Sequence, residues 1–347
     1  MAAITGKETL VGIKVATTYG TAVAVDKLIA LDSFNQSRGV EELSRSPLGL
    51  NKLFETSVTQ GRASPVVSGS TKVGFQNNIE YLIAQFFGTS STPAEVTGSQ
   101  GDYLTRLTFN STLNAKYLTA ALKSSSATTM EWPAVAIDTL TFNIAPGQYL
   151  GLDFNGMADI RNLSSATNTV AVLAALTAPT ENEIIIEESD EFLINAQASG
   201  AITTSTDRKV IESAVITLTK PQQSIALIKG TAGNGEPTST GLYTATITVT
   251  YNKLDDHTWF TAAEAGTEYK AGFSFEGAQI GSGTNYRFAL FFPRLEIVQD
   301  PDYNPSEPGH NNHVVTYKSM EATANPTGMN SKMPYAEYTN LITTAYV

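Results

Sequence analysis

Runs in which apolar and polar side chains alternate recur along almost the whole chain, and stretches with a helical period are few and short. Thr9 to Ala16 alternates until Thr17-Thr-Tyr-Gly-Thr21 breaks it, and Lys27 to Phe34 reads as the next strand. Pro65 to Phe75 reads as a strand and runs directly into Asn78-Ile-Glu-Tyr-Leu-Ile-Ala-Gln-Phe-Phe-Gly88. There Ile79, Leu82, Ile83 and Phe86 fall on one helical face and Gly88 supplies a stop. Asp102 to Phe109, Lys116 to Leu122, Val135 to Ile144 and Tyr149 to Asn155 follow as strands, with Pro146-Gly147 turning the last pair. Ser164 to Asn182 is small and polar and reads as a linker. Beyond it, Glu183 to Glu188, Ile211 to Thr219, Leu242 to Tyr251, Tyr269 to Phe275, Tyr286 to Ile297 and His313 to Ala322 complete the strand set. A second short helix is predicted over Asp255 to Ala265, around Trp259, Phe260 and Ala263. Two segments carry no sustained period, Asn35 to Ser64 and Pro221 to Thr240, and both are expected to be extended loops that order against a neighbour. The tail from Ala324 to Val347 has few apolar residues and is expected to lie on another subunit.

The pattern repeats. A short strand, a long loop rich in turn formers, a longer strand and a short helix occur in that order twice, with Phe75 and Tyr251 at matching places 176 positions apart (251 − 75). Two tandem domains are therefore predicted, 1–178 and 179–347, each large enough for its own core. The hairpin Val135 to Asn155 also resembles the strand pairs that begin at Lys27 and Lys209, which softens those boundaries.

Composition narrows the class. Charged residues make up only 16% of 347, and Thr and Ser fill many of the polar positions, which suits sheets that face other protein more than water. The reading is all-β with minor helix, in a protein that assembles. A net charge of −11 argues against tight nucleic-acid binding, which draws its affinity from counterion release by cationic side chains. The absence of cysteine removes thiolate metal sites, nucleophilic Cys and disulfides. The start, Met-Ala-Ala-Ile-Thr-Gly-Lys, lacks an apolar leader core and no apolar run is long enough to cross a bilayer, so a soluble protein made in the cytosol is expected.

Candidate chemistry is sparse. His310-Asn-Asn-His313 has a metal-like spacing, but Pro305, Pro308 and Gly309 disfavour the helix that would present it. Glu181, Glu183, Glu187, Glu188, Asp190 and Glu191 could gather Ca²⁺, yet three isoleucines interrupt the run and a charge-protected strand edge fits better. Gly230-Thr-Ala-Gly233-Asn-Gly235 matches neither phosphate-loop spacing. Asn110-Ser-Thr112 and Asn162-Leu-Ser164 match the glycosylation acceptor without a secretion signal. No Ser/His/Asp or His-Glu-x-x-His grouping is present, and paired carboxylates for glycoside hydrolysis cannot be picked out. The aromatics from Tyr81 through Phe292 could form a sugar-stacking platform but fall mostly at core spacings. No catalytic residue, metal or cofactor is expected.

Several of these segments resemble the tail tube proteins of long-tailed bacteriophages. Ala16-Thr-Thr-Tyr-Gly-Thr-Ala22 resembles the family's N-terminal turn, although Ala16 stands where an acidic residue is common. Val66-Val-Ser-Gly-Ser-Thr71 with the Tyr81 to Gly88 helix, Tyr243 to Tyr251 with Trp259-Phe260, and Phe291-Phe-Pro-Arg294 are similar to later segments. The resemblance implies tandem β-sandwiches whose inner strands join those of neighbours into a β-barrel around a DNA-conducting lumen, in a virion tail. Rings would stack through the long loops Asn35 to Ser64 and Pro221 to Thr240. Family rings have six such domains, so two per chain implies a homotrimeric ring of nearly six-fold shape. Implied partners are further copies of the chain, other tail proteins (tape measure, terminator, in contractile tails a sheath) and DNA in passage, with no membrane. A lumen richer in Asp and Glu than in Lys and Arg is expected. The competing readings are a capsid decoration protein and a baseplate or tail-tip component that binds carbohydrate.

Overall fold

A computed structural model describes residues 9–45, 57–98, 100–110, 116–225, 233–252, 257–299, 301–303 and 312–347. Its elements confirm an all-β chain with minor helix. The first half contains β1 (Val11–Ala16), β2 (Lys27–Ile29), β3 (Ser33–Ser37), β4 (Val40–Arg45), β5 (Ser57–Ala63) and β6 (Val66–Lys72). These are followed by α1 (Ile79–Phe87), β7 (Gly88–Ser90), β8 (Ala94–Glu95), β9 (Tyr103–Phe109), β10 (Tyr117–Lys123), β11 (Thr129–Ile144), β12 (Gly151–Ala158) and α2 (Val170–Ala174). The second half contains β13 (Glu191–Ala196), α3 (Thr204–Asp207), β14 (Ser213–Thr219), β15 (Gln222–Gln223), β16 (Thr238–Ser239), β17 (Thr244–Tyr251) and α4 (Thr258–Ala265). It ends with β18 (Tyr269–Gln279), β19 (Asn285–Ile297), β20 (Asp302–Tyr303), β21 (His313–Ser319) and β22 (Tyr335–Asn340). No described helix is long and apolar enough to cross a membrane.

Two sets of strands pair in the same order. In the first, β1, β10, β11, β12, β6 and β3 lie side by side, all antiparallel. In the second the order is β13, β18, β19, β21, β17 and β14. A helix follows the fifth strand of each, α1 after β6 and α4 after β17. Their spacing is nearly constant: β1 and β13 start 180 residues apart (191 − 11), α1 and α4 179 apart (258 − 79). The 178/179 boundary falls in a stretch without helix or strand. It is no gap in the packing, because β11 pairs with β14, β22 pairs with β9, and one hydrophobic cluster takes residues from both halves.

Local chemistry accounts for the main elements. Helix α1 is stopped where Gly88 takes φ 86° and donates its amide to the Ala84 carbonyl, a left-handed cap that costs glycine nothing. All its residues except Tyr81 are buried, and Phe86 and Phe87 meet Phe109 edge-on or tilted. The 16-residue β11 pairs with three strands, with β12 along one edge and with β10 and then β14 along the other. Its register against β10 slips between Leu118/Val135 and Ala120/Trp132, around Pro133, which has no amide to give a ladder.

Four expectations need correction. Lys27 to Phe34 is two strands, not one, since β2 pairs with β1 and β3 with β6. Within Asn35 to Ser64, the described residues form β3 and a two-stranded ribbon of β4 and β5, and β15 with β16 makes a smaller ribbon inside Pro221 to Thr240. Among the described residues neither ribbon joins the main sheet, so no core-facing period marks it. Ser164 to Asn182 contains α2, whose Leu173 packs against Val25 and Ala121. The largest correction concerns the tail. Its strand β22 lies between β19 and β9 with all six residues buried, and Tyr346 is buried against α1.

Candidate functional site

The proposed chemistry-bearing residues do not converge. His310 lies outside the described residues, while His313 is buried at the start of β21 against the rings of Tyr251 and Phe260. His257 precedes α4 and packs on Phe260. In the acidic run, Asp190 accepts from the amides of Glu187 (2.7 Å) and Glu276 (3.2 Å), and Glu191 is paired with Arg208. Glu183 to Glu188 makes isolated bridges and no strand: Gly74 pairs with Glu183, Tyr149 with Ile185. Among the described residues no group of His, Asp or Glu stands as a metal-binding cluster. Gly230 lies outside them, and Gly233 packs against Asp159 at φ 102°. Asn162 donates to Glu131 Oε1 (3.0 Å), inside a buried knot that Asn168 completes. Most of the aromatics are core residues, as their spacing implied.

What the fold does build is one broad polar face with two open edges. The pair β11–β14 fuses the two strand sets into a run of eight strands ordered β3, β6, β12, β11, β14, β17, β21, β19. Alternation sends Leu140, Phe142, Ile216, Ile247, Val315 and Tyr317 inward. On the outer face one cross-strand row reads Ser33, Ser70, Asp153, Thr141, Thr217, Thr246, Lys318, Glu296. A second reads Asn35, Ser68, Asn155, Thr139, Thr219, Thr244. Hydroxyls bridge strands at Ser33 and Ser70 (2.7 Å) and at Thr141 and Thr217 (3.4 Å); such pairs contribute about 0.2–1 kcal/mol each.

Charge on this face is sparse. Lys72 pairs with Asp32 at 3.1 Å, Lys318 stands opposite Glu296, Asp153 accepts from Asn143 at 2.8 Å, and Asp138 accepts from Asn155 at 3.1 Å. Carboxylates outnumber the lysines among these groups.

The two ends of the eight-stranded run differ from its middle. Among the described residues β3 pairs on one side only, with β6. Gly69 makes that contact close, since a Cβ there would lie 2.5 Å from the Ser33 carbonyl and 2.9 Å from the Phe154 ring. At the far end β21 is bordered by Leu295–Ile297 of β19 and then by β20, while the β18 partner of β19 stops at Leu295. The outer side of 296–299 and of β20 therefore has no described partner strand. In the middle, the matching stretch of β11, Thr139–Ile144, is covered by β14, the counterpart of β3.

Three buried ionisable groups lie away from this face. Burial pushes the Glu80 carboxyl up to about 7, with nearby amides of Glu80, Asn78 and Asn77 and the Lys27 ammonium offsetting part. Burial pulls the Lys220 ammonium down to about 8, where Nζ sits 4.8 Å from the centre of the Phe86 ring. Burial would raise the Asp102 carboxyl, but hydrogen bonds from Thr284 and Thr97 outweigh it and hold it well below the usual carboxylate range.

Compared with protein-family models and with curated proteins, the sequence gives no match.

Proposed function

We propose that the chain is a structural, non-enzymatic subunit of a tube, of the kind that tail tube proteins of long-tailed phages build, and that it assembles by adding sheet edge to sheet edge. The observation that carries this is the β11–β14 joint. Within one chain, the β3-like edge strand β14 already pairs with the far end of β11, and the equivalent pair of edges, β3 and 296–299 with β20, has no partner strand among the described residues. Repeating that joint between chains puts β3 of one copy on the β19–β20 edge of the next. Each repetition removes two exposed edges, which otherwise invite uncontrolled pairing.

With two tandem β-sandwich units per chain, 1–178 and 179–347, three chains complete a six-unit ring. Eight strands per chain give twenty-four around the ring. At a strand spacing of about 4.8 Å, that is a circumference near 115 Å and a diameter of about 37 Å before strand tilt widens it. The hydroxyl-rich face would line the lumen, where the near-absence of unpaired cations lets DNA pass without adhering. The β4–β5 ribbon follows β3 and the β15–β16 ribbon follows β14, so both leave the same end of the run and suit contacts between stacked rings. On this reading the protein belongs to a virion tail, with other tail proteins at the ends of the tube.

The test is electron microscopy of purified protein with rotational averaging, on the wild type and on Gln36→Pro. Val73 and Pro65 of the β6 segment bond to the β12 side, so Ser68 and Ser70 face β3 and bond its residues Asn35 and Ser33, which leaves the Gln36 amide on the open side of β3; proline there removes an edge donor without breaking the β3–β6 ladder. Tubes with three chains per ring, lost in Gln36→Pro while the melting temperature holds, are expected. Closed particles, or rings of six chains with the second half outside the wall, would overturn the reading.

A further inference from the structure

A second surface lies beyond the eight-stranded run, on the strands that pair with the first part of β19. Strands β13, β18, β19, β22 and β9 pair in that order and form the floor of an open groove of about 710 Å³. That is a size at which small-ligand sites occur. Buried charges pin its walls from behind. Lys270, fully buried, donates Nζ to the carbonyls of Ser199 (2.8 Å) and Thr327 (2.9 Å), and so ties together two loops that supply Ile202, Gly328 and Met329 to the rim. Gly328 touches Ala201 so closely that a Cβ would lie 2.6 Å from its Cβ. Asp102 fixes a third wall by accepting from Thr97 and from both the amide and the hydroxyl of Thr284. Burying a lysine is costly even with the Asp207 carboxylate nearby, and what it achieves here is a groove already in shape before a ligand arrives.

The floor sets the ligand class. At its centre Gly272 stands opposite Phe291, and a Cβ on Gly272 would come within 3.0 Å of the Phe291 ring. One edge of the ring therefore abuts the β18 backbone while the ring stacks on Tyr335 (centroids 4.9 Å apart), an apolar patch inside a polar row. Around it Glu337 is held by Arg106 (2.8 Å) and faces Arg287 (3.7 Å), which in turn donates to Ser274 (2.8 Å). The charged lining is Glu191, Glu276, Glu337 and Arg287, with Arg208 paired to Glu191 and Arg106 to Glu337 from beside the groove. With no excess of cations, the floor gives no preference for an anion such as nucleic acid. A peptide strand would need a sheet edge, but the floor is a face whose backbone bonds are already used. Planar guanidinium and carboxylate groups beside one flat ring suit a ligand with many hydroxyls and a weakly apolar ring face. We propose that this groove binds a neutral saccharide, a role that does not depend on ring formation.

The full-length protein is applied to a glycan array carrying neutral, sialylated and sulfated oligosaccharides, with saturation-transfer NMR on the neutral hits. The expected result is binding of neutral glycans, weakened at least tenfold by Phe291→Ala and severalfold by Asn285→Ala at the exposed rim, and unchanged by Tyr149→Ala on a different surface. Thermal melting establishes that each variant is folded. No neutral binder, binding confined to charged glycans, or binding that survives both groove variants would overturn the proposal. Because the array reads the groove and microscopy reads the tube, loss of one leaves the other standing.

Discussion

Replacing Glu80 by Gln should make the protein more stable at neutral and alkaline pH, and the gain should vanish in acid. Glu80 sits in the first turn of α1 at zero exposure, and neither carboxylate oxygen meets a donor in good geometry among the described residues. The titratable groups that face it are Lys27 from β2, Tyr338 from β22 and Tyr346 from the last residues of the chain, with Tyr81 beside it on the helix. One cation near the amides of the helix start does not replace the water lost, so the carboxyl rises from 4.5 to about 7. The folded state thus holds this proton more tightly than the unfolded chain does. Stability from this group is fully present below about pH 4.5 and is lost as pH rises through about 7. The rise from 4.5 to about 7 corresponds to about 3 kcal/mol.

Chemical denaturation of wild type and Glu80→Gln between pH 5 and 8.5 checks this, because groups that titrate alike in both proteins cancel in the difference. The difference should grow in favour of the variant as pH rises and level off above pH 8. The buried amide of Gln lowers the whole curve by a constant amount but does not bend it. A difference that stays flat across the window would refute the claim that the carboxyl is buried against its charge. So would one that falls as pH rises.

Three further outcomes follow from single positions. Tyr338→Phe removes a hydroxyl that is fully buried and meets no partner among the described residues, and should stabilise by about 1 kcal/mol in denaturant titration. Gly88→Ala should lower stability by about 1 kcal/mol through its left-handed backbone alone, since the nearest atom to the new Cβ is 3.4 Å away; the melting temperature reads it. Gly69→Ala should be worse, about 1–3 kcal/mol, and should also abolish tubes, because the new methyl displaces β3 through the Ser33 carbonyl; wild-type tubes from this variant would contradict the assigned edge.

The parts of the fold that were legible are those where one face of a strand meets a core. β6, β14, β17 and β21 alternate buried and half-exposed residues without a break, and the period of two in the sequence is that burial pattern. The parts that were not legible break the link between pattern and burial. β22 is buried on both faces yet reads Tyr-Ala-Glu-Tyr-Thr-Asn, and Glu337 is tolerated there because Arg106 and Arg287, from two other strands, supply its partners. The ribbons β4–β5 and β15–β16 fail in the opposite way, since among the described residues neither pairs with the main sheet, whose core sets the period of two. The saccharide groove could not be read at all, because Glu191, Gly272, Phe291 and Glu337 are brought together only by the order of β13, β18, β19 and β22. The duplication was visible from Phe75 and Tyr251. Its consequence, that β11 continues past β10 to receive β14, is announced by no period.

The fusion of two units in one chain also bears on how the proposed ring is controlled. The β11–β14 joint forms with the fold, because its strands are tethered and the effective concentration of one for the other is high. The β3 to β19–β20 joint has the same strand partners in kind but must also overcome the loss of translational and rotational freedom, several kcal/mol or more. β3 is only five residues long, and Asn35 and Ser37 on it are exposed and polar. A joint so short is weak alone, which keeps free chains from pairing at random, and becomes stable only when the ring closes and the ribbons of the next ring add their contacts. Half of the six joints in a three-chain ring are then permanent and half conditional. Assembly should accordingly be steep in protein concentration, with free chains and tubes coexisting and open intermediates scarce, and sedimentation velocity across a dilution series would detect a ladder of partial rings if the interchain joint were strong alone.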